Sequence, residues 1–232
     1  MGRVAHADFP PIMNILGSDG TLRLVVPEGT EGAVFREGET KDGTHYSKWE
    51  LIFKSLSGKI SNIKFHDGDY GRNLMVTLEY DDGEDTISFA IASPFGEDFM
   101  KKLPNLDLNE VVEIAPFSFE DDRGKVRRGV TVKQAGKGWK DDKVPNFFYK
   151  AGPEGARGEN INGFPTPEGD TTKYTKDDWI VYFAQARKFL TAYVEEKYIP
   201  LFADKVAVTV TVAGTPAELP EYPDEDFQPP KF

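Results

Sequence analysis

The sequence predicts a mainly β fold, a barrel with added helices, on three observations. Short segments of alternating polarity recur between residues 46 and 133; turns rich in Gly and Asp separate them; one short helical segment follows the third strand. The chain has 232 residues, 39% hydrophobic and 29% charged, enough for one substantial core.

Residues 1–43 read as an N-terminal arm whose one strand is TLRLVV, 21–26. A longer strand begins near Tyr46. In SKWELIFKSL, Trp49, Leu51 and Phe53 take one face and Lys48, Glu50, Ile52 and Lys54 the other. Gly58 interrupts before KISNIKF resumes, which fits either a bulged bend in one long strand or a tight hairpin between two. After HDGDYG, NLMVTLEY brings Leu74, Val76, Leu78 and Tyr80 into step, DDGED turns the chain, and TISFAIA aligns Ile87, Phe89 and Ile91. That is a hairpin pattern. Ser93 and Pro94 then supply an N-cap and a first-turn proline, and Phe95, Phe99, Met100 and Leu103 fall at helical spacing before Pro104. Residues 110–120 form a fourth strand. After the turn DDRGK, VRRGVTVKQ returns with Val126, Val130 and Val132 on one parity and Lys125, Arg127, Thr131 and Lys133 on the other.

This order matches the OB-fold, a five-stranded Greek-key barrel, with a short helix between strands 3 and 4. The position of the helix separates it from β-sandwiches of similar strand spacing, and a plain β-barrel is the rival. The OB-fold domain spans 44–214. It includes an inserted loop, 135–173, rich in Gly and Pro, and a long C-terminal helix over about 176–199. Thr175 caps this helix with Asp178 three residues on, and Pro200 ends it. Its stripe, Trp179, Phe183, Ala186, Leu190, Tyr193 and Val194, packs on the barrel. VAVTVTV, 206–212, reads as a strand at a sheet edge, and 215–232 as a disordered acidic tail.

Composition narrows the function. The chain has no cysteine, which removes disulfides, thiolate metal sites and a Cys nucleophile and fits a reducing compartment. No run approaches the roughly 18 apolar residues of a membrane span, and the N-terminal stretch lacks the order of a signal peptide. A cytoplasmic location without membrane contact is expected. His6, His45 and His66 are scattered, and neither a phosphate loop ending in GK[ST] nor a GxSxG turn occurs. No metal or cofactor is expected. Asp67 and Asp69, and Asp81, Asp82, Glu84 and Asp85, are acidic pairs and clusters able to hold magnesium in a nuclease. Each cluster sits in a Gly-containing turn, where Asp is favoured for backbone reasons.

The net charge is −11, which argues against nonspecific attraction to polyanions. Its distribution is uneven. Between Arg123 and Lys150 nine bases, Arg123, Lys125, Arg127, Arg128, Lys133, Lys137, Lys140, Lys143 and Lys150, face only Asp141 and Asp142, a surplus of seven positive charges. Phe117 and Phe119 precede this segment, Trp139 lies within it, and Phe147, Phe148 and Tyr149 close it. Single-stranded nucleic acid is held by this combination, because cations track phosphates while flat rings stack on unpaired bases. Phe117 and Phe119 either fill the barrel or serve as stacking platforms; the loop aromatics are read as stacking groups. Lys54, on the outer parity of the first strand, and Tyr70 and Arg72, in the turn before the second, lie where an OB surface meets its ligand. The tail EYPDEDFQPPKF carries Glu221, Asp224, Glu225, Asp226 and Phe227 and ends on Phe232. Such a segment occupies a basic groove by mimicking phosphate.

Several stretches resemble one known group. GRNLMVTLEYDDGEDTISFAIAS, FMKKLPNLDL, EVVEIAPFSFEDDRGKVRRGVTV and the tail are similar to the single-stranded DNA-binding proteins of tailed bacteriophages, over most of 45–134 and the last dozen residues. The resemblance implies an OB-fold core, protection of single strands in phage DNA replication, recombination and repair within the host cell, and a tail that restrains DNA binding and recruits phage replication proteins. It implies a non-enzymatic protein, monomer or homodimer, with single-stranded DNA as partner. The alternatives are a magnesium-dependent nuclease using Asp67, Asp69, Asp81, Asp82 and Asp85, and a virion or host adaptor acting through the tail alone.

Overall fold

In a computed structural model, residues 10–39, 43–68, 71–138, 141–153 and 158–208 are described, the last five as backbone only. The strands are β1 (Ile12–Leu16), β2 (Thr21–Val26), β3 (Val34–Glu39), β4 (His45–Phe53), β5 (Leu56–Gly68), β6 (Gly71–Tyr80), β7 (Gly83–Ala90), β8 (Val111–Glu120), β9 (Val126–Lys133), β10 (Tyr149–Lys150) and β11 (Glu159–Asn160). The helices are α1 (Pro94–Lys102) and α2 (Lys176–Lys197). Strands β1 to β9 form one sheet in the order β3-β4-β2-β1-β7-β6-β5-β8-β9, and β10 and β11 form a separate two-stranded ribbon.

The strand order explains the shape. Strands β4 and β5 are five places apart in the sheet, about 24 Å if the sheet were flat. Only Lys54 and Ser55 join them, and that link reaches at most about 11 Å. The sheet must therefore curl until its two wings meet, and it forms a strongly curled half-barrel. The predicted break at Gly58 falls instead at Lys54–Ser55, and Gly58 lies inside β5, where a Cβ would approach the Glu79 carbonyl oxygen to 2.6 Å. A bulge at Ser61 lets Ile60 and Ile63 both face inward although they are three residues apart.

The sheet has nine strands where the sequence predicts a five-stranded barrel, and much of the difference lies in the expected N-terminal arm, where only 21–26 is predicted as a strand. Its described part holds β1, β2 and β3. Met13 and Ile15 on β1, and Leu22 and Leu24 on β2, are buried on the inner face. Strand β1 pairs in parallel with β7, seventy residues on, and β2 pairs with β4. The inner faces of β5 to β9 add Ile60, Ile63, Leu74, Val76, Leu78, Ile87, Phe89, Val112, Ile114, Val130 and Val132 to one core.

Helix α1 closes one side of this core. Ser93 caps it by accepting the Gly96 amide, and Phe95, Phe99 and Met100 are buried, with Phe99 stacked 4.8 Å from Phe89. Burial of a side chain of this kind contributes about 1.5–3 kcal/mol. The same helix satisfies the outer edge of β9: Asp98 accepts the Val130 amide at 2.7 Å, and the Lys102 ammonium donates to the Val130 carbonyl. Helix α2 starts on a complete Thr175–Asp178 capping box and buries Trp179, Ala186, Leu190, Thr191 and Val194. The inserted loop sends Val144, Phe148 and Phe164 into the core.

Residues 206–208, predicted as the start of a strand, are the end of a 3₁₀ segment over Ile199–Val208; 209–212 and the tail from 215 lie outside the described residues. Buried Phe202 ties this segment to the core, so packing overrides local strand preference there. Among the described residues no helix is long and apolar enough to cross a membrane.

The curl ends in a seam where the β1–β2 turn meets the β8–β9 hairpin. Gly20 has φ +67°, and a Cβ there would run into the Phe117 carbonyl carbon and the Ser118 nitrogen. The Arg128 guanidinium donates to the Gly17 carbonyl at 2.9 Å across the same seam. Gly20→Ala is expected to cost about 2 kcal/mol or more through backbone strain and collision, lowering the thermal midpoint by roughly 4–8 °C by circular dichroism. An unchanged midpoint would show that the seam does not close the sheet.

Candidate nucleic-acid interface

The hairpin β8–β9 separates its residues by parity. Val112, Ile114, Val130 and Val132 point into the core, so Phe117, Phe119, Arg127 and Lys133 lie on the outer face. Phe117 stands opposite Gly129 and Phe119 opposite Arg127. With no side chain at Gly129, the Phe117 ring can lie over it: a Cβ there would meet the ring at 2.9 Å. Phe119 is 55% exposed and its ring lies 5.7 Å from that of Phe117. Neither ring belongs to the buried core, so neither fills the barrel.

The cations around these rings are partly engaged. Arg127 pairs with Asp121 at 2.8 Å and Lys133 with Glu113 at 3.1 Å. Asp121 also accepts the Arg123 and Lys125 amides; the Lys125 amide and then the Arg127 guanidinium hold its carboxyl below the ordinary range. Arg123 and Lys125 flank this turn with no ion pair among the described residues. Arg128 shares the parity of Val130, is partly buried, and donates to the Gly17 carbonyl across the seam. Lys54 is exposed at the β4–β5 bend, two residues before Leu56, which pairs with Ile114 of β8. The curl thus brings Lys54 beside the hairpin.

The loop aromatics divide. Phe148, read as a stacking group, is instead 1% exposed, edge-on to Phe147, Phe189 and Tyr193 and tilted against Phe164. It is core, because α1, α2 and the insertion need an apolar filler between them. Phe147 is partly buried against the same core, while Tyr149 is 44% exposed on β10 and its hydroxyl accepts the Gly158 amide. Lys150 pairs with Glu159 and Lys143 with Asp141, so part of the basic surplus is neutralised locally. Trp139, Lys140, Tyr70 and Asp69 lie outside the described residues, as do Glu221, Asp224, Glu225, Asp226, Phe227 and Phe232. Arg72 lies 4.3 Å over the Phe65 ring and pairs with Asp67 at 3.3 Å and with Glu195 of α2 at 2.6 Å. It docks the long helix onto the sheet.

The acids weighed for a nuclease do not form one group. Asp85 is buried and accepts the Tyr80 hydroxyl at 2.6 Å, whereas Asp81, Asp82 and Glu84 are exposed around the β6–β7 turn. Among the described residues no cluster of three or more His, Cys, Asp or Glu is arranged to hold a metal ion.

A second charged group lies on the outer face of the wing β2-β4-β3. Glu50, only 1% exposed, accepts two bonds from Arg36 at 2.8 and 2.9 Å and lies 3.4 Å from Lys48 and 3.8 Å from Arg23. Arg23 also pairs with Asp19 at 2.6 Å. Arg36 donates to the Tyr46 hydroxyl, and Arg36 and Lys48 both lie over the Tyr46 ring, 5.2 and 5.3 Å from its centroid. Sequence reasoning placed Lys48 and Glu50 on the polar face of β4 but missed Arg23, Arg36 and Tyr46 as neighbours. The alternation of β4 was the available signal; the pairing with β2 and β3 was not visible.

Burial works to raise the Glu50 carboxyl, but the Arg36 guanidinium and then the Lys48 ammonium outweigh it and hold the group below its ordinary value of 4.5. A depressed carboxylate contributes stability in full above that value and loses it as pH falls through the lower folded-state value. In Glu50→Gln, stability to urea should fall at neutral pH and decline less steeply than in the parent from about pH 5 to pH 3. Parallel acid profiles for the two proteins would contradict this account of the network.

No protein-family model, no curated protein and no solved structure matches the chain.

Proposed function

We propose that the protein is a non-enzymatic, sequence-tolerant single-stranded DNA binder that coats and protects unpaired strands during phage DNA replication, recombination and repair in the host cell. The observation that carries this function is the outer face of β8–β9, where exposed Phe119 stands opposite Arg127 and next to Phe117. An exposed ring beside a half-buried one, bordered by cations, suits stacked bases and their phosphates. Lys54, Arg123, Lys125 and Lys133 extend the positive border.

In this proposal β5, β6, β7, β8 and β9 are the five strands of an OB barrel. Support comes from the antiparallel pairing of the long bulged strand β5 with both β6 and β8, and from α1 between the third and fourth of these strands. Strands β1 to β4 are then additions to that barrel. The acidic tail, 215–232, competes with DNA for the cationic face and recruits phage replication proteins. The surplus of seven positive charges between Arg123 and Lys150 supports local attraction of a polyanion although the chain as a whole carries −11.

Fluorescence anisotropy with labelled oligothymidylate tests the proposal. Binding should weaken steeply with salt, with a log–log slope of roughly −2 to −4 if three to five phosphates are neutralised. Phe119→Ala should lose about 1–3 kcal/mol of affinity with little change in melting, since the ring is exposed. No binding by the parent protein, or full affinity in the variant, refutes the assignment. Cleavage of the DNA in magnesium, lost on changing Asp81 or Asp82, would replace it with the nuclease alternative.

Removal of residues 218–232 takes away five carboxylate side chains and one lysine. The truncated protein should bind the same oligonucleotide more tightly, most clearly at low salt where charge competition is strongest. Equal or weaker affinity would rule out competition by the tail.

A further inference from the structure

A groove of about 420 Å³ lies between the loop that precedes α2 and the first turns of that helix. Pro167, Glu168 and Tyr174 line it from the loop, and Asp178, Val181 and Tyr182 from the helix, where their spacing puts them on one face. Its rings are held in place. The Tyr174 hydroxyl donates to the Glu168 carbonyl at 2.7 Å and the Tyr182 hydroxyl to the Pro165 carbonyl at 3.3 Å, and both rings pack on Trp179, at 5.0 and 5.8 Å between centroids. A ligand therefore meets walls that are already ordered, which lowers the entropy lost on binding. Val181 lines the groove with 56% of its surface exposed.

Aromatic walls of this kind accept the flat rings of an extended proline segment, and an acid at the rim selects one that carries a cation. Glu168 and Asp178 are both exposed there. Asp178 is committed to the Thr175 cap, which assigns Glu168 to the ligand's cation. The chain itself contains such a segment. Pro-Pro occurs twice, at 10–11 and at 229–230. The first pair is tied to the sheet, because the Pro11 carbonyl accepts the Thr86 amide at 2.8 Å; the second lies outside the described residues and is followed by Lys231 and Phe232. The length of chain suffices. The 3₁₀ segment over Ile199–Val208 follows α2 and packs on it. The two ends of α2 are about 33 Å apart, whereas the twenty residues 209–228 span up to about 66 Å when extended.

We propose that this groove holds the C-terminal end of the same chain, with Pro229 and Pro230 against Tyr174 and Tyr182 and with Lys231 paired to Glu168. The acidic stretch before it is then a loop tethered at both ends, by the 3₁₀ segment and by the groove, which limits how far from α2 its carboxylates range. The contact does not depend on the single-strand function proposed above, and its test uses no DNA.

Zero-length carbodiimide coupling of the full-length protein, read by peptide mass spectrometry, should join Lys231 mainly to Glu168. In a mixture of ¹⁵N-labelled and unlabelled protein, each coupled pair should carry a single isotope. The coupled product should fall when Pro229→Gly and Pro230→Gly are combined, a change confined to the segment itself. Release of Phe232 by carboxypeptidase should quicken about two- to fivefold in Glu168→Gln, as expected for loss of one exposed ion pair, and at least as much in Val181→Arg, which sets a bulky cation in the groove. Glu168 and Val181 are exposed, so both variants should melt like the parent by circular dichroism. Coupling of Lys231 spread over many carboxylates, or equal release of Phe232 from parent and variants, overturns the contact. Coupled pairs of mixed isotope overturn its assignment to the same chain and give the groove to the end of a second copy.

Discussion

The two-residue link between β4 and β5 is the constraint on which the rest of the molecule depends. It ties strands that the hydrogen-bond order holds five places apart, so the sheet has to curl into a half-barrel before the chain can pass between its wings. Once it does, the inner face becomes the core and the two wings meet. Gly20 packed against the Phe117–Ser118 backbone and Arg128 bonded to the Gly17 carbonyl are the local consequences. A larger residue in place of Gly20 would have to push apart two pieces of backbone, which have no rotamers through which to give way.

Curling also decides what is left outside. Each strand that sends an apolar residue inward sends its neighbour out, and the outward set gathers Phe117, Phe119 and Arg127 on one wing and Arg23, Arg36 and Lys48 on the other. Lys54, at the bend, lies between them. The two wings treat charge differently. On the hairpin, the ion pairs are open to solvent and contribute little to stability, so their cations can exchange a carboxylate for a phosphate at small cost. On the other wing Glu50 is buried, and removing one partner would leave a desolvated charge. That network holds its cations in place.

The sheet's free edges are handled unequally. Helix α1 and the segment after β9 satisfy one edge, with Asp98 and Lys102 serving Val130 and with the Val144 amide bonded to the Val132 carbonyl. The hairpin is thereby held along its outer edge as well as by β5. Strand β3 forms the opposite edge and carries Arg36, Glu37 and Glu39, charges of the kind that discourage edge-to-edge pairing. Aromatic packing completes the other side: Phe148 joins Phe164, Phe189 and Tyr193 between the insertion and α2.

By itself the sequence determined the mainly β class, the meander and hairpin from 56 to 133, the helix capped at Ser93 and the helix capped at Thr175, because alternation, turn residues and caps act over a few neighbours and can be read in order along the chain. It also determined which residues of β4 and β9 share a face. Of the three strands that residues 12–39 add, only β2 was legible, as TLRLVV; β1 finds its partner on β7 and β3 on β4, and nothing in a five- or six-residue segment specifies a partner so remote. Nor did the sequence separate Phe119 from Phe148, or Arg127 from Arg128: rings and guanidiniums of the same chemistry became outward-facing or packed according to which side of a curled sheet they met. Tertiary structure alone decided that, because burial depends on where the wings close, and the closure is fixed by backbone hydrogen bonds between segments far apart in the chain.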